Sequence, residues 1–501
     1  MHVVHACSPS YLPGIAHVGR ALSDSSPCFP SMCPCAGHNH HSKSTKLRQS
    51  NMSSECGREP SNSEGLGTPA QSTTSTADDA CQPRPRPWVK PKSVQIPTVV
   101  PYHGRTRIKA HLAPLSELDT DTILTALPGR HDNPGILDKV AVQCIFTAQI
   151  HKAILALPDI TQPVPQDDVP AYAIRVDRKR GLGMYATRDL DIGDFIVAER
   201  PLLLYPMGVP FRGPILTDAV NRMTNDRRDA YCALRNVNGY TGSFLSGIRD
   251  TNSLGVDGIP GYPYHIGAVC DVISRVNHRY ALSICISGVQ VPHHFLSYSC
   301  TPNSHWTFRV ESFAIEVRAK AAIKKGDQIF APYTFLDEPR SERRKILLKG
   351  YKFLCDCPSC SLPDSDSRVS DARRKRILQL THEEMRRDGI KILKWLASPN
   401  TPDLQLIDEC KDVINLMDTE RIWPAAVSSA ILQRIVQAYC AIEDAENASY
   451  WARRASKYFL ADNLGDDAGW SLVAENPEAT DWWGLRKEAR RVQQQLFTGH
   501  Q

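Results

Sequence analysis

The sequence predicts an α+β protein, with small β elements at its centre and helices on either side. Two changes of period predict it. Strand-like alternation sets in near Ala171 and stays mixed to about Tyr333, and a helical period takes over beyond Asp371. The third observation is Arg180-Gly181-Leu182-Gly183, a glycine-punctuated run that interrupts the alternation as a turn does.

A chain of 501 residues has room for two or three domains with buried cores. Its 59 basic and 54 acidic residues leave a net charge of +5, too slight a bias to predict nucleic-acid binding. No apolar run reaches bilayer-spanning length, and the first residues lack the basic-then-apolar pattern of a secretory signal. The 16 cysteines therefore read as free thiols and metal ligands of a reducing compartment. The expectation is an intracellular monomer of the nucleus or cytoplasm, with no membrane association and no direct contact with nucleic acid.

Residues 1–95 are rich in Ser, Pro, Thr, Cys and His and read as a disordered tail. Cys33, Cys35, His38, His40 and His41 invite a metal, but a flexible tail without preorganised geometry is the stronger reading. Met52 opens a blander stretch and is a candidate start of translation. Residues 96–170 read as a helical N-terminal extension, because Ile136, Val140, Cys144 and Ala148 recur every fourth position after Asn133-Pro134-Gly135.

The glycine turn has two readings. A dinucleotide-binding turn must open a helix whose N-terminus holds pyrophosphate. Here Gly193, the β-branched run Phe195-Ile-Val-Ala-Glu199 and Pro201 follow, which argues for a hairpin. The segment from Arg180 to Pro201 resembles the opening of SET domains, particularly SET-and-MYND-like and fungal relatives. In that family a basic-Gly-x-Gly turn cradles S-adenosylmethionine and a strand ending in Glu-x-Pro-Leu follows. Glu199, Pro201 and Leu202 fit that continuation.

The family's signature Asn-His-Ser-Cys-x-Pro-Asn is present in two halves. Ser274-Arg275-Val276-Asn277-His278 supplies the left and Ser299-Cys300-Thr301-Pro302-Asn303 the right. Residues 279–298 separate them, and removing that stretch restores an unbroken match. The stretch reads as a retained intron or gene-model error, with a genuine inserted loop as the alternative. An Asn side chain donates and accepts at once, which suits the amino-acid end of a cofactor.

Asp327 to Thr334 reads as a strand with Tyr333 near its end, and Glu342 to Leu347 as an amphipathic helix. Cys355, Cys357 and Cys360 follow within six positions, a spacing that suggests zinc with one ligand missing. The resemblance implies that Cys300 is the fourth ligand, that Tyr333 is catalytic, and that Phe353 stacks beside the adenine. It further implies that Arg180, Gly181, Leu182, Gly183, Asn277 and His278 line the cofactor. The implied fold is the SET type, with small sheets, a pseudoknot, a zinc-bound post-SET loop and a helical C-terminal domain.

The domain reading is SET over 171–350, with a variable insert at about 203–270, a post-SET cluster over 351–363 and a helical domain over 364–501. The cysteine pairs of a MYND module do not occur between the glycine turn and Asn277. In the last domain Ile377, Met385, Ile392, Leu393, Val413 and Leu416 are expected to be buried. Tyr439 to Phe459 reads as two helices joined around Glu443-Asp444. The implied function is methylation of lysine side chains on protein substrates, histone or non-histone. An inactive SET scaffold, or a zinc-stabilised interaction module, is the alternative.

Overall fold

Strands, rather than a helix, flank Asn133-Pro134-Gly135 in the computed structural model. It describes residues 122–177, 181–207, 214–239, 243–256, 259–262, 265–277, 300–386, 390–398 and 400–498. All of these belong to one compact unit, Pro87–Gln501. The chain runs through β1 (Thr122–Gly129), β2 (Leu137–Thr147), α1 (Ala148–Leu155), β3 (Tyr172–Asp177), β4 (Gly181–Ala186), β5 (Phe195–Glu199) and β6 (Leu203–Pro206). Next come α2 (Ile215–Asn221), α3 (Asn225–Cys232), α4 (Phe244–Asn252), β7 (Ser253–Val256), β8 (Ile266–Val269), β9 (Ser304–Arg309) and β10 (Ala314–Ala319). Helices then take over: α5 (Arg340–Tyr351), α6 (Asp364–Arg386), α7 (Ile390–Leu396), α8 (Gln405–Glu420), α9 (Ala425–Ala441), α10 (Ala445–Asp462), α11 (Trp470–Glu475) and α12 (Leu485–Thr498).

The helical reading of 96–170 is thereby corrected over its described part, where only α1 is helical. Ile136 and Val140 are exposed, whereas every residue from Ala141 to Thr147 is buried. Unbroken burial marks a strand covered on both faces, and such a strand shows no alternation that would distinguish it from a helix. β2 lies between β1 and β6 with α1 and α2 packed against it. Its end is punctuated by Thr147, whose hydroxyl accepts from Ile150 N at 3.3 Å and caps α1.

Among the described residues three small sheets result, ordered β1-β2-β6-β8-β7, β5-β10-β9 and β3-β4. Every pairing is antiparallel except β2 with β6. The apolar faces of the sheets share one core, in which Met184, Ile196, Ile266, Ile315 and Ile329 have at most 1% of their surface exposed.

The C-terminal helices build a second core around Ile407, Ile414, Met417, Ile435 and Trp470. Ile377 and Ile392 are buried as expected, while Val413 and Leu416 are only partly buried beside Ile414 and Met417. Leu393 corrects the reading, because α7 turns Ile392 and Trp395 inward and leaves Leu393 59% exposed. α9 and α10 pack as a pair joined at Glu443 and Asp444, with Glu443 at φ 62° and the Asp444 carboxylate capping Asn447 N at 3.0 Å. α10 also leans on β9 and β10, where Lys320 pairs with Asp462 and Arg309 donates to Leu464 O at 2.6 Å.

Candidate functional site

β3 and β4 form the hairpin anticipated around the glycines, in register from Tyr172 with Ala186 to Asp177 with Gly181. The two glycines are required for different reasons. Gly181 sits at φ +80°, and a Cβ there would meet nothing within 4 Å, so its need is conformational. At Gly183 a Cβ would lie 2.3 Å from Gln328 Nε2 and 3.0 Å from Asn277 Nδ2, so its need is close approach. Leu182, between them, is 40% exposed, whereas Gly183 is buried. Arg180 and His278 lie outside the described residues, as does the stretch 279–298.

The segment expected as a strand from Asp327 to Thr334 forms no strand: among the described residues it makes isolated bridges, Tyr185 with Gln328 and Asn277 with Phe330, and bends at Tyr333-Thr334. It threads between two different partners, so no continuous ladder forms. Ile329 N donates to Met184 O at 2.8 Å on one side, and Ala331 N donates to Asn277 O at 3.2 Å on the other. Asn277 Nδ2 closes the triangle by donating to Leu182 O at 2.9 Å.

The other half of the split signature reaches the same segment. Asn303 Nδ2 donates to Gln328 O at 3.0 Å, and its Oδ1 accepts from Phe330 N at 2.7 Å. Ser304 donates to Phe330 O from both N and Oγ, at 3.1 and 2.8 Å. Asn277 and Asn303 thus clamp one buried strand of chain from two directions.

Tyr333 emerges two residues past Ala331 and donates its hydroxyl to Val276 O at 3.1 Å. Val276 immediately precedes Asn277, so the phenol stands one residue from the asparagine that holds the glycine turn. The Tyr333 ring lies 4.7 Å from that of Tyr351, which in turn lies 6.4 Å from that of Phe353. The chain reaches Phe353 through Lys352, whose φ of 59° ends α5. Tyr351 was not singled out from sequence, because an aromatic at a helix end carries no signal of what it stacks on.

A partly buried carboxylate supports this arrangement from behind. Glu199, at the end of β5, accepts from Asp271 N, Val272 N and Ile273 N at 2.7, 2.8 and 3.1 Å. Those residues open the short turn that delivers Val276 and Asn277. Desolvation pushes the Glu199 carboxyl up to about 7 against the opposing pull of the three N–H donors. In the sequence Glu199 was noticed only as part of a pattern, since its partners lie more than seventy positions away.

The four cysteines converge. The Sγ atoms of Cys300, Cys355, Cys357 and Cys360 all lie within 4.8 Å of one another, and each residue is at most 1% exposed. Cys300 Sγ stands 3.9 Å from Cys355 Sγ and 3.5 Å from Cys360 Sγ. Sulfurs on a tetrahedral zinc, at about 2.3 Å each, would be about 3.8 Å apart, so the donor set fits the ion. Hydrogen bonds from Cys300 first, and then from Cys355, hold Cys357 well below the ordinary thiol range and draw Cys360 down as well. Cys300 is pushed up, first by its hydrogen bond with Cys355. A divalent cation is what would let all four ionise together.

Residues 181–334 match the SET domain family. The chain is 28% identical over 200 residues to histone-lysine N-methyltransferase set5 of Schizosaccharomyces pombe, covering 40% of this chain and 53% of that protein. It is 34% identical over 79 residues to N-lysine methyltransferase SMYD2-A of Xenopus laevis, covering 16% of this chain and 18% of that one. It is 40% identical over 65 residues to SET domain and MYND-type zinc finger protein 6 of S. pombe, covering 13% of each. The chain thus spans about half the length of the first of these relatives and less than a fifth of the others. No helix among the described residues is long and apolar enough to cross a membrane. With the glycine hairpin, Asn277, Asn303 and Tyr333 all meeting on one threaded segment, the chain carries a SET domain and is similar to SET-domain lysine methyltransferases.

Proposed function

We propose that this chain is an S-adenosylmethionine-dependent methyltransferase that acts on lysine side chains of other proteins. One observation carries the reading. Inside the segment that matches the SET domain, buried residues 328–331 thread between Met184 O of β4 and Asn277 O, the Asn277 amide grips Leu182 O beside exposed Gly181, and the Tyr333 hydroxyl meets Val276 O. We take that threading of 327–331 between β4 and Asn277 as the pseudoknot of the fold. Residues 351–363 are its post-SET cap, and residues 364–501 a helical domain beside it.

Arg180, Gly181, Leu182, Gly183, Asn277, His278 and Phe353 would hold the cofactor, which supplies an electrophilic methyl group when bound. Gly181, with open space where a side chain would stand, allows backbone approach. Asn277 fixes the turn through Leu182 O. Tyr333 orients the substrate amine, and its own position is set by Val276 O. An incoming lysine reaches this wall neutral because an apolar surround disfavours the ammonium form. The Tyr333, Tyr351 and Phe353 rings supply that surround and keep water from the amine. Zinc on Cys300, Cys355, Cys357 and Cys360 would be structural, tying the segment that carries Phe353 to the right half of the split signature. The four-cysteine set leaves no open coordination position for chemistry.

Binding of S-adenosylmethionine to the full chain, followed by transfer of a labelled methyl group to lysine-containing protein, tests the reading. Saturable binding and labelled methyl-lysine are expected. The same assays on a chain lacking 279–298 separate a defect of that stretch from a defect of the site. A failure of both chains to bind the cofactor would overturn the enzyme in favour of an inactive scaffold.

A further inference from the structure

Three arginines converge on the cysteine cluster, and two of them are wholly buried. Arg343 of α5 is 0% exposed and directs Nη2 to Cys360 Sγ at 3.8 Å. Arg374 of α6 is also 0% exposed and donates through Nη1 to Cys300 O at 3.3 Å and to Leu336 O at 2.5 Å. Partly buried Arg344 donates through Nε to Cys355 O at 2.8 Å. A guanidinium cannot shed its proton, and taking it out of water is costly unless an opposite charge stands close.

The carboxylates nearby do not suffice. Asp371 Oδ1 is 3.6 Å from Arg343, and it also accepts from Arg340 N. Glu420 of α8 pairs with Arg374 at 3.0 Å but is shared with Arg373 at 2.7 Å and with Ser370 Oγ at 2.6 Å. Hydrogen bonding covers only part of each guanidinium: Arg343 Nη1 donates to Glu338 O and Arg374 Nη1 to two carbonyls, but Arg343 Nε and Arg374 Nη2 have no partner among the described residues. Four thiolates around one dication leave about two negative charges in the same place.

We infer that Arg343 and Arg374 are positioning residues of the cysteine site. Their guanidiniums offset the charge of the metal-bound thiolates, so they set how tightly zinc is held. Through Glu420, Arg374 also fastens α8 to the cysteine site. This inference rests on the zinc reading above. Loss of an outer partner of this kind weakens metal binding by about ten- to a hundredfold.

The test is competition of the full zinc-loaded chain against a chromogenic chelator, with zinc content measured on the same preparation. Arg343→Met should release zinc at about ten- to a hundredfold lower chelator concentration. Arg343→Lys, which keeps the charge, should recover most of that loss. In the wild type, zinc removal should deprotect amides of α6 near Arg374 and of α8 near Glu420 in hydrogen exchange. A wild-type chain with no zinc would sink the metal reading itself. A wild-type chain that holds one zinc, beside R343M that holds it equally well, would overturn only the arginine role. Should R343M fail to fold, a folded R343K that loses zinc far more readily than wild type would overturn it too.

Discussion

Glu199→Gln isolates the carboxylate behind the site. In the native protein burial holds this group at about 7, against an ordinary value of 4.5. The native state therefore grips the proton more tightly than the unfolded chain does. The stability contributed by this group is fully present below pH 4.5 and is lost as pH rises through 7. A difference of that size corresponds to about 3 kcal/mol across the window. Glutamine occupies the same space without titrating, although it turns an N–H2 group toward donors that need an acceptor. The groups that face Glu199 from neighbouring elements are Asp271, Cys270, Arg227 and Tyr172, and all are unchanged by the substitution. The assay is urea unfolding of both proteins at a series of pH values from about 4.5 to about 8, read as the difference between them. Wild type should lose about 3 kcal/mol relative to E199Q over that range. A difference that stays constant, or one that grows in favour of wild type as pH rises, would refute the reasoning. It would mean that the three N–H donors outweigh desolvation and keep the carboxylate ionised.

Tyr333→Phe deletes only the hydroxyl that meets Val276 O, so kcat should fall by about a hundredfold or more while S-adenosylmethionine binding, followed by calorimetry, is retained. The two glycines should respond differently to alanine. Gly183→Ala drives a Cβ into Gln328 and Asn277 and should weaken cofactor affinity at least about tenfold, whereas Gly181→Ala meets no protein atom and adds backbone strain of about 1–2 kcal/mol, seen as a lowered Tm. Chelation of zinc, or Cys357→Ser, should lower the melting temperature and the cofactor affinity together, because the cluster ties the segment that carries Phe353 to the right half of the split signature. Metal content by elemental analysis should fall from one zinc per chain to none.

Legibility followed the range of each interaction. The β3–β4 hairpin was legible because an alternating segment from Tyr172 runs into two glycines one residue apart, whereas the β-branched run Phe195–Glu199 that follows pairs with distant β10 instead. The α9–α10 pair was legible because its apolar spacing and the turn at Glu443-Asp444 are local. β2 was misread because four-residue apolar spacing suits a helix stripe and a doubly covered strand equally well; the covering elements β1, β6, α1 and α2 decided between them. Leu393 was misread for a related reason: adjacent apolar residues do not reveal which one a helix turns inward.

Within the site, the sequence by itself determined the chemical inventory: two glycines, two asparagines, a tyrosine and three closely spaced cysteines. Only the tertiary structure decided what those residues meet. Cys300 joins cysteines 55 and 60 positions away, Glu199 holds a turn 72 positions on, and Gly183 is a glycine because Gln328 and Asn277 crowd it. Steric preferences act between neighbours and leave a mark in sequence. Burial instead brings together groups from distant parts of the chain, and which groups come together is settled when the core closes.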